Sequence, residues 1–269
     1  IYFLIIYLRI KIFKLLKFVN KENILKKLKK KKFFKIVTVL LVIYIVIAVL
    51  FISFQYYSTI KSQVIINTST INSSDKSKKD INIGSIKYME KYYNYSKQIN
   101  GEVIGWIYIK GTDINYPLLH GKTDSYYLDH NWQGEKFWNG CIALDQDNTS
   151  LANNTLLING HNMLNGIIFS QLTNYESIDF AKKHNIVEIY NGISNKIIYF
   201  KVFSAIYTKP SIELNLGNNS EKIRQETIDN LMSEKIYKID NYNGNNILFL
   251  NTCLSNGTDN HIIVICEEI

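Results

Sequence analysis

The sequence predicts a mostly β domain, a closed or nearly closed barrel, carried behind a single membrane-spanning helix. From Val103 onward, short β-prone apolar runs alternate with bends rich in Gly, Asn and Asp, and helical periodicity is scarce. Ahead of that region, Ile36 to Phe54 holds no charged residue and only Thr38, Tyr44 and Ser53 as polar interruptions. At about 1.5 Å per residue this is enough helix to cross most of a bilayer core. A chain of 269 residues with 46% hydrophobic content can bury a sizeable core, so one domain plus appendages is the expected count.

The formal net charge of +8 is local. Residues 1–35 carry 12 of the 31 Lys and Arg against the single acid Glu22, which makes that segment +11 and the remainder −3. A nucleic-acid-binding face on the folded part therefore has no support. Lys26, Lys27, Lys29, Lys30, Lys31, Lys32 and Lys35 crowd the N-terminal side of the apolar run, which puts the N-terminus in the cytoplasm and everything after Phe54 outside. No small-residue cleavage site follows, so residues 36–54 read as an uncleaved anchor in the membrane. Residues 1–20 mix apolar positions with Arg9, Lys11, Lys14 and Lys17, and read either as an interfacial amphipathic helix or as sequence upstream of the true start. The expected organisation is a basic cytoplasmic segment over 1–35, the anchor over 36–54, a tether rich in Ser, Thr, Asn and Lys over 55–84, and the folded domain over 85–269.

Within that domain, Ser85 to Ile99 predicts a helix packing one face through Ile86, Met89, Tyr92, Tyr93 and Ser96, stopped at Asn100-Gly101. Strands are expected at 104–109, 112–119, 140–145, 156–158, 186–190, 196–207, 247–253 and 261–265. Between Asn219 and Ser233, Ile223, Ile228 and Leu231 among charged residues read as an amphipathic helix capped by Ser220, inserted before the last two strands.

Two strand ends carry chemistry. Ile247-Leu248-Phe249-Leu250-Asn251-Thr252-Cys253 delivers a thiol to the mouth of a polar bend, and Leu156-Leu157-Ile158-Asn159-Gly160-His161 delivers an imidazole to a Gly-marked turn. A cysteine and a histidine far apart in sequence, each at a strand end, suit a nucleophile and base pair; the plain alternative is two unrelated residues. Cys141 and Cys266 lie inside apolar runs and read as small core residues. Three cysteines without a CxxC spacing argue against a disulfide framework or structural zinc site. His120 and His184 read as surface histidines.

Gly105-Trp106-Ile107, Asp113-Ile114-Asn115-Tyr116-Pro117, Tyr126-Tyr127-Leu128-Asp129-His130, Gly160-His161-Asn162-Met163, Asn165-Gly166 and Thr252-Cys253 occur in an order that resembles the class B sortases, from about Ser85 to the end. The inserted helix before the cysteine strand is similar to the one that marks that class. The resemblance implies an eight-stranded barrel and a membrane-anchored cysteine transpeptidase outside a Gram-positive cell. Such an enzyme cuts a C-terminal sorting signal peptide of surface proteins after Thr and joins the new end to a cell-wall amine, supplied by peptidoglycan or its lipid-linked precursor; no cofactor or metal is implied. Cys253 would form the thioester and His161 would act as general acid and base. Asn251, Thr252 and Arg224 are assigned to substrate contact. His130 matches a family position, with a structural role as its main reading.

One departure stands out. The family places an arginine at the start of the strand after the cysteine, where it steadies the substrate carbonyl and oxyanion, and here that place holds His261. No Arg or Lys occurs from Cys253 to Ile269, and Arg224 is the one arginine after residue 35. His261 is therefore expected to serve as the oxyanion donor when protonated, with Arg224 swinging in as the rival. Two other readings follow: a catalytically impaired sortase-fold module that binds sorting peptides or wall precursors, and a zinc site built from Cys253, His161 and His261.

Overall fold

The computed structural model describes residues 35–54, 82–121, 123, 126–163, 165–209, 212–254 and 259–269. The expectations for the basic segment, for residues 55–81 of the tether and for most of the bend after Cys253 lie outside the described residues. The chain divides into two compact units, Ile1–Ile65 and Ile66–Ile269. In the first, α1 (Lys35–Phe54) is long and apolar enough to cross a membrane, and none of its apolar window is buried.

The second unit contains β1 (Val103–Ile109), β2 (Asn115–Leu119), β3 (Ala143–Leu144), β4 (Thr155–Asn159), β5 (Ile186–Asn191), β6 (Lys196–Thr208), β7 (Lys235–Lys238), β8 (Ile247–Cys253) and β9 (His261–Glu268). They hydrogen-bond in the order β5-β1-β2-β3-β4-β8-β9-β6-β7. A further β5–β6 pairing closes eight of them into a barrel and leaves β7 as a flap on β6. The β2–β3 and β4–β8 pairs are parallel and the rest antiparallel.

Alternation along each strand sorts side chains between the barrel interior and an outer layer. Ile107, Ile109, Leu156, Ile158, Leu248 and Leu250 are among those that fill the interior. Outside, α2 (Ile86–Ile99) lays Tyr88, Met89, Tyr92 and Tyr93 on Val103, Trp106 and Tyr190. On another side, Ile228 and Leu231 of α4 (Glu221–Leu231) cover Phe249 and Ile247 of β8 with Ile263 and Ile265 of β9. Burial on both faces explains why β8 and β9 read as continuous apolar runs rather than alternating ones.

Ser220 caps α4 by accepting the Ile223 amide, as expected, and Ser85 caps α2 in the same way by accepting that of Tyr88. The stripe on α2 is shifted: Tyr88 is buried where Ile86 was expected, and Ile86 is 46% exposed. The second expected strand begins only at Asn115, because the Thr112 hydroxyl bonds the Ile109 carbonyl and turns the chain. The strand expected at 140–145 shrinks to Ala143–Leu144. The flap β7 and the six-residue α3 (Ile178–Lys183) are too short to leave a periodic signature. His184, expected at the surface, is buried beyond α3, with Nδ1 2.9 Å from the Lys110 carbonyl and its ring against Phe180.

Arg224 projects from α4 onto the 242–245 segment. Its Nε lies 3.0 Å from Tyr242 Oη and 3.1 Å from the Asn245 carbonyl, while Nη1 and Nη2 reach the carbonyls of Asn219 and Gly244. The guanidinium thus ties the inserted helix to the loop that leads into β8.

Trp106 is 2% exposed, donates Nε1–H to Asn115 Oδ1 at 2.6 Å and packs on Tyr92. Trp106→Ala should lower stability by about 3–5 kcal/mol, read as a shifted urea midpoint. Arg224→Ala should lower it by about 1.5–3 kcal/mol through the carbonyls it strands, checked by the same titration.

Candidate active site

The site is built where β4, β8 and β9 end together. Parallel β4 and β8 pair Asn159 with Asn251, so two residues further on His161 and Cys253 emerge side by side. Three bonds extend the seam past the ladder. The Gly160 amide donates to the Asn251 carbonyl at 3.2 Å, the buried Thr252 hydroxyl donates to the Gly160 carbonyl at 2.7 Å, and Asn162 Nδ2 donates to the Cys253 carbonyl at 3.0 Å. Gly160 has no room for a side chain, since a Cβ would sit 2.8 Å from the Phe169 ring. Beyond His161 the Ser170 hydroxyl accepts the Met163 amide at 2.7 Å and can donate to the Met163 or the Ile167 carbonyl, and Ile168 adopts φ 59°, a strained conformation for a β-branched residue.

Cys253 is the exposed thiol; Cys141 and Cys266 are buried, and burial pushes both of their thiols up. Opposite Cys253 in the antiparallel β8–β9 pair stands His261, whose Nε2 lies 3.6 Å from Sγ. Among the described residues this imidazole, not that of His161, is the hydrogen-bond partner of the sulfur.

A polar row fixes the tautomer of His261. Asn159 Nδ2 lies 3.0 Å from Asp145 Oδ2, Asn251 Nδ2 lies 2.8 Å from Asn159 Oδ1, and His261 Nδ1 lies 2.9 Å from Asn251 Oδ1. A carboxylate only accepts, so Asn159 must turn its NH2 to Asp145 and its oxygen to Asn251. Asn251 must then turn its own NH2 to Asn159 and its oxygen to His261, which leaves Nδ1 as the protonated nitrogen. Nε2 of the neutral ring therefore presents a lone pair to the thiol. Burial lowers the basicity of His261, with the nearby Asp259 carboxylate opposing, and burial also raises the Cys253 thiol.

His161 is held by the opposite nitrogen. Its Nε2 lies 2.8 Å from the Leu128 carbonyl, which can only accept, so Nε2 carries a proton and Nδ1 is the nitrogen left to exchange one. Gly140, at φ 59°, makes space for this contact, because a Cβ there would lie 2.8 Å from that carbonyl and 3.0 Å from the His161 ring. His130 buttresses the same turn: its ring stacks on Tyr126 with centroids 4.0 Å apart, and Nδ1 meets Asp129 at 2.6 Å.

The structure brings Cys253, His261 and Asn251 together and sets His161 beside them through the seam. It gives the Thr252 hydroxyl a buried bond across that seam. Among the described residues no three His, Cys, Asp or Glu side chains are placed to hold a metal ion. Sequence reasoning passed over Asn159, Asp145 and the Leu128 carbonyl. Only Asn159, two residues before the histidine as Asn251 is two before the cysteine, left a signal.

No family model matches the chain. It is 31% identical over 141 residues to sortase B of Listeria monocytogenes serovar 1/2a, a stretch covering 49% of this chain and 57% of that protein. It is 33% identical over 124 residues to sortase B of Staphylococcus aureus, covering 45% and 50%. The chain thus spans between half and three-fifths of the curated relatives it matches. The solved structure of Clostridium perfringens sortase B superposes with a TM-score of 0.59 at 27% identity, over 65% of this chain and 98% of that one. In sequence and in fold, this chain is similar to the sortase B proteins.

Proposed function

We propose that the chain is a membrane-anchored cysteine transpeptidase. Cys253 attacks a peptide carbonyl in the C-terminal sorting signal of a surface protein, after a Thr, and the resulting thioester passes to a cell-wall amine. One observation carries the reading: Cys253 is the exposed thiol of three, fixed at a strand end with an imidazole nitrogen 3.6 Å from its sulfur. Staphylococcus aureus sortase B has been solved with a substrate, and a sortase B structure holds triglycine, which supports a peptide donor and an amine acceptor for this relative too. On this reading the acceptor is peptidoglycan or its lipid-linked precursor, in a Gram-positive wall.

The chemistry runs in two halves. The thiolate adds to the carbonyl carbon, the C–N bond breaks, and the departing amine takes a proton from His161. An incoming amine then attacks the thioester, gives a proton back to His161 and releases the sulfur. Anchoring is by α1 over residues 36–54, with the Lys-rich flank in the cytoplasm, 55–84 as tether and 85–269 as the catalytic domain outside. A module that binds sorting peptides without turnover is the second reading, favoured by the lack of any Arg or Lys between Cys253 and Ile269.

The full chain in detergent micelles, incubated with a library of peptides bearing varied sorting motifs, should yield an acyl adduct on Cys253 by mass spectrometry that triglycine releases. Cys253→Ala should abolish the adduct, whereas Cys141→Ala and Cys266→Ala should retain it. An adduct that no amine discharges would favour the binding module. For topology, protease added to intact protoplasts should remove the domain after Phe54, and its protection would reverse the assigned orientation.

A further inference from the structure

We propose that His261, and not His161, is the group that takes the thiol proton of Cys253, and that Asn251, Asn159 and Asp145 form a polar row that holds its ring in the accepting tautomer. The inference rests on the reading of Cys253 as the nucleophile and assigns the step which that reading leaves open. A neutral imidazole with Nδ1–H bound to an amide oxygen has one site for a proton, and here that site is the nitrogen 3.6 Å from the sulfur. The expected role of His261 as an oxyanion donor needs the opposite state, a proton already on Nε2. Burial of the ring works against that state at rest.

The proton balance closes with both histidines in use. Sγ–H gives its proton to Nε2 of His261, leaving a thiolate beside an imidazolium; the thiolate forms the C–S bond, the C–N bond breaks, and the departing amine takes the Nδ1 proton of His161, which enters this step doubly protonated. When the second amine expels the sulfur, His161 recovers a proton from that amine and His261 returns its own to the thiolate. During the acyl step the protonated Nε2 is a cationic donor at the reacting centre, present only once sulfur has lost its proton. The row is built for this duty: each amide makes one bond forward and one back, and its far end is anchored on a carboxylate. Other groups face the ring: the Asp259 carboxylate just before it, Cys253 and Asn251 from β8, and the uncharged Thr208, its backbone partner on β6.

Alkylation of Cys253 by iodoacetamide reads thiolate formation without any peptide. It would be followed by mass spectrometry on the full chain in micelles between about pH 5 and 9, the window in which an imidazole and a thiol titrate. His261→Gln and His261→Ala should each slow alkylation at neutral pH by about tenfold, the effect of one unit of thiol acidity, and should remove the imidazole-dependent limb of the pH profile. Asn251→Ala should slow it by a smaller factor and displace that limb, which a purely structural residue would not do. His161→Ala should stay within about twofold of the native rate. Labelling of Cys141 or Cys266 would expose a variant that has lost its fold, since both are buried in the native barrel. The proposal is overturned if His261→Gln slows alkylation no more than His161→Ala does. A chain that captures no peptide yet loses alkylation on His261→Gln would refute the transpeptidase reading and leave this one standing.

Discussion

The site depends on one parallel seam. Residues 161 and 253 come together because β4 and β8 pair in the register Asn159 to Asn251, and a parallel pair has no hairpin to fix that register. What fixes it is alternation and one hydroxyl. Leu248 and Leu250 face the barrel interior and Ile247 and Phe249 the layer under α4, so a slip of one residue would exchange the two sets. Past the apolar stretch, the Thr252 hydroxyl bound to the Gly160 carbonyl carries the same register to the strand ends.

The outer face of these strands changes character along its length. Leu157, Phe249 and Ile263 lie beneath α4, while Asn159, Asn251 and His261 continue the same alternation beyond it. The inserted helix thereby has two effects. It buries the apolar half of the face and leaves the polar half open, where the amides of one strand can be satisfied only by their neighbours on the next. The Arg224 contacts to the 242–245 segment keep that helix docked at the approach to β8.

Legibility in the sequence followed the range of the interaction responsible. Ser220 was readable as a helix cap because a cap is a bond across three residues. Cys253 and His161 were readable because each closes an apolar run at a turn. The nearness of His261 to Cys253 was expected, but its hydrogen bond to the sulfur was hidden, although the two lie eight positions apart, because it depends on which residue of β9 faces the cysteine, and the resemblance pointed to a different function for that place. Asp145 was invisible for a stronger reason: its contact with Asn159 crosses the β3–β4 pair, and a two-residue strand gives no periodicity from which to infer a facing neighbour. Ile86 was misplaced for the opposite reason, since its apolarity is real but α2 turns Tyr88 inward, where a larger ring reaches Asn115.

A histidine at 261 changes when charge is present rather than whether it is. An arginine would stand beside the sulfur as a permanent cation, and a thiolate facing it would be favoured before any substrate arrived. The half-buried Cys253 and His261 pair works the other way. Desolvation raises the thiol and lowers the imidazole, and both shifts favour the neutral S–H and N over the ion pair. At rest the neutral pair thus predominates and the sulfur is less open to oxidation, while the minor ion-paired fraction supplies the thiolate that an electrophile captures. The polar row decides which nitrogen receives the proton, and because it ends on the Asp145 carboxylate, it continues to hold Nδ1–H after the ring becomes an imidazolium. Where an arginine would hold a fixed charge, a histidine at this strand position faces the sulfur with a nitrogen that can take up and return a proton.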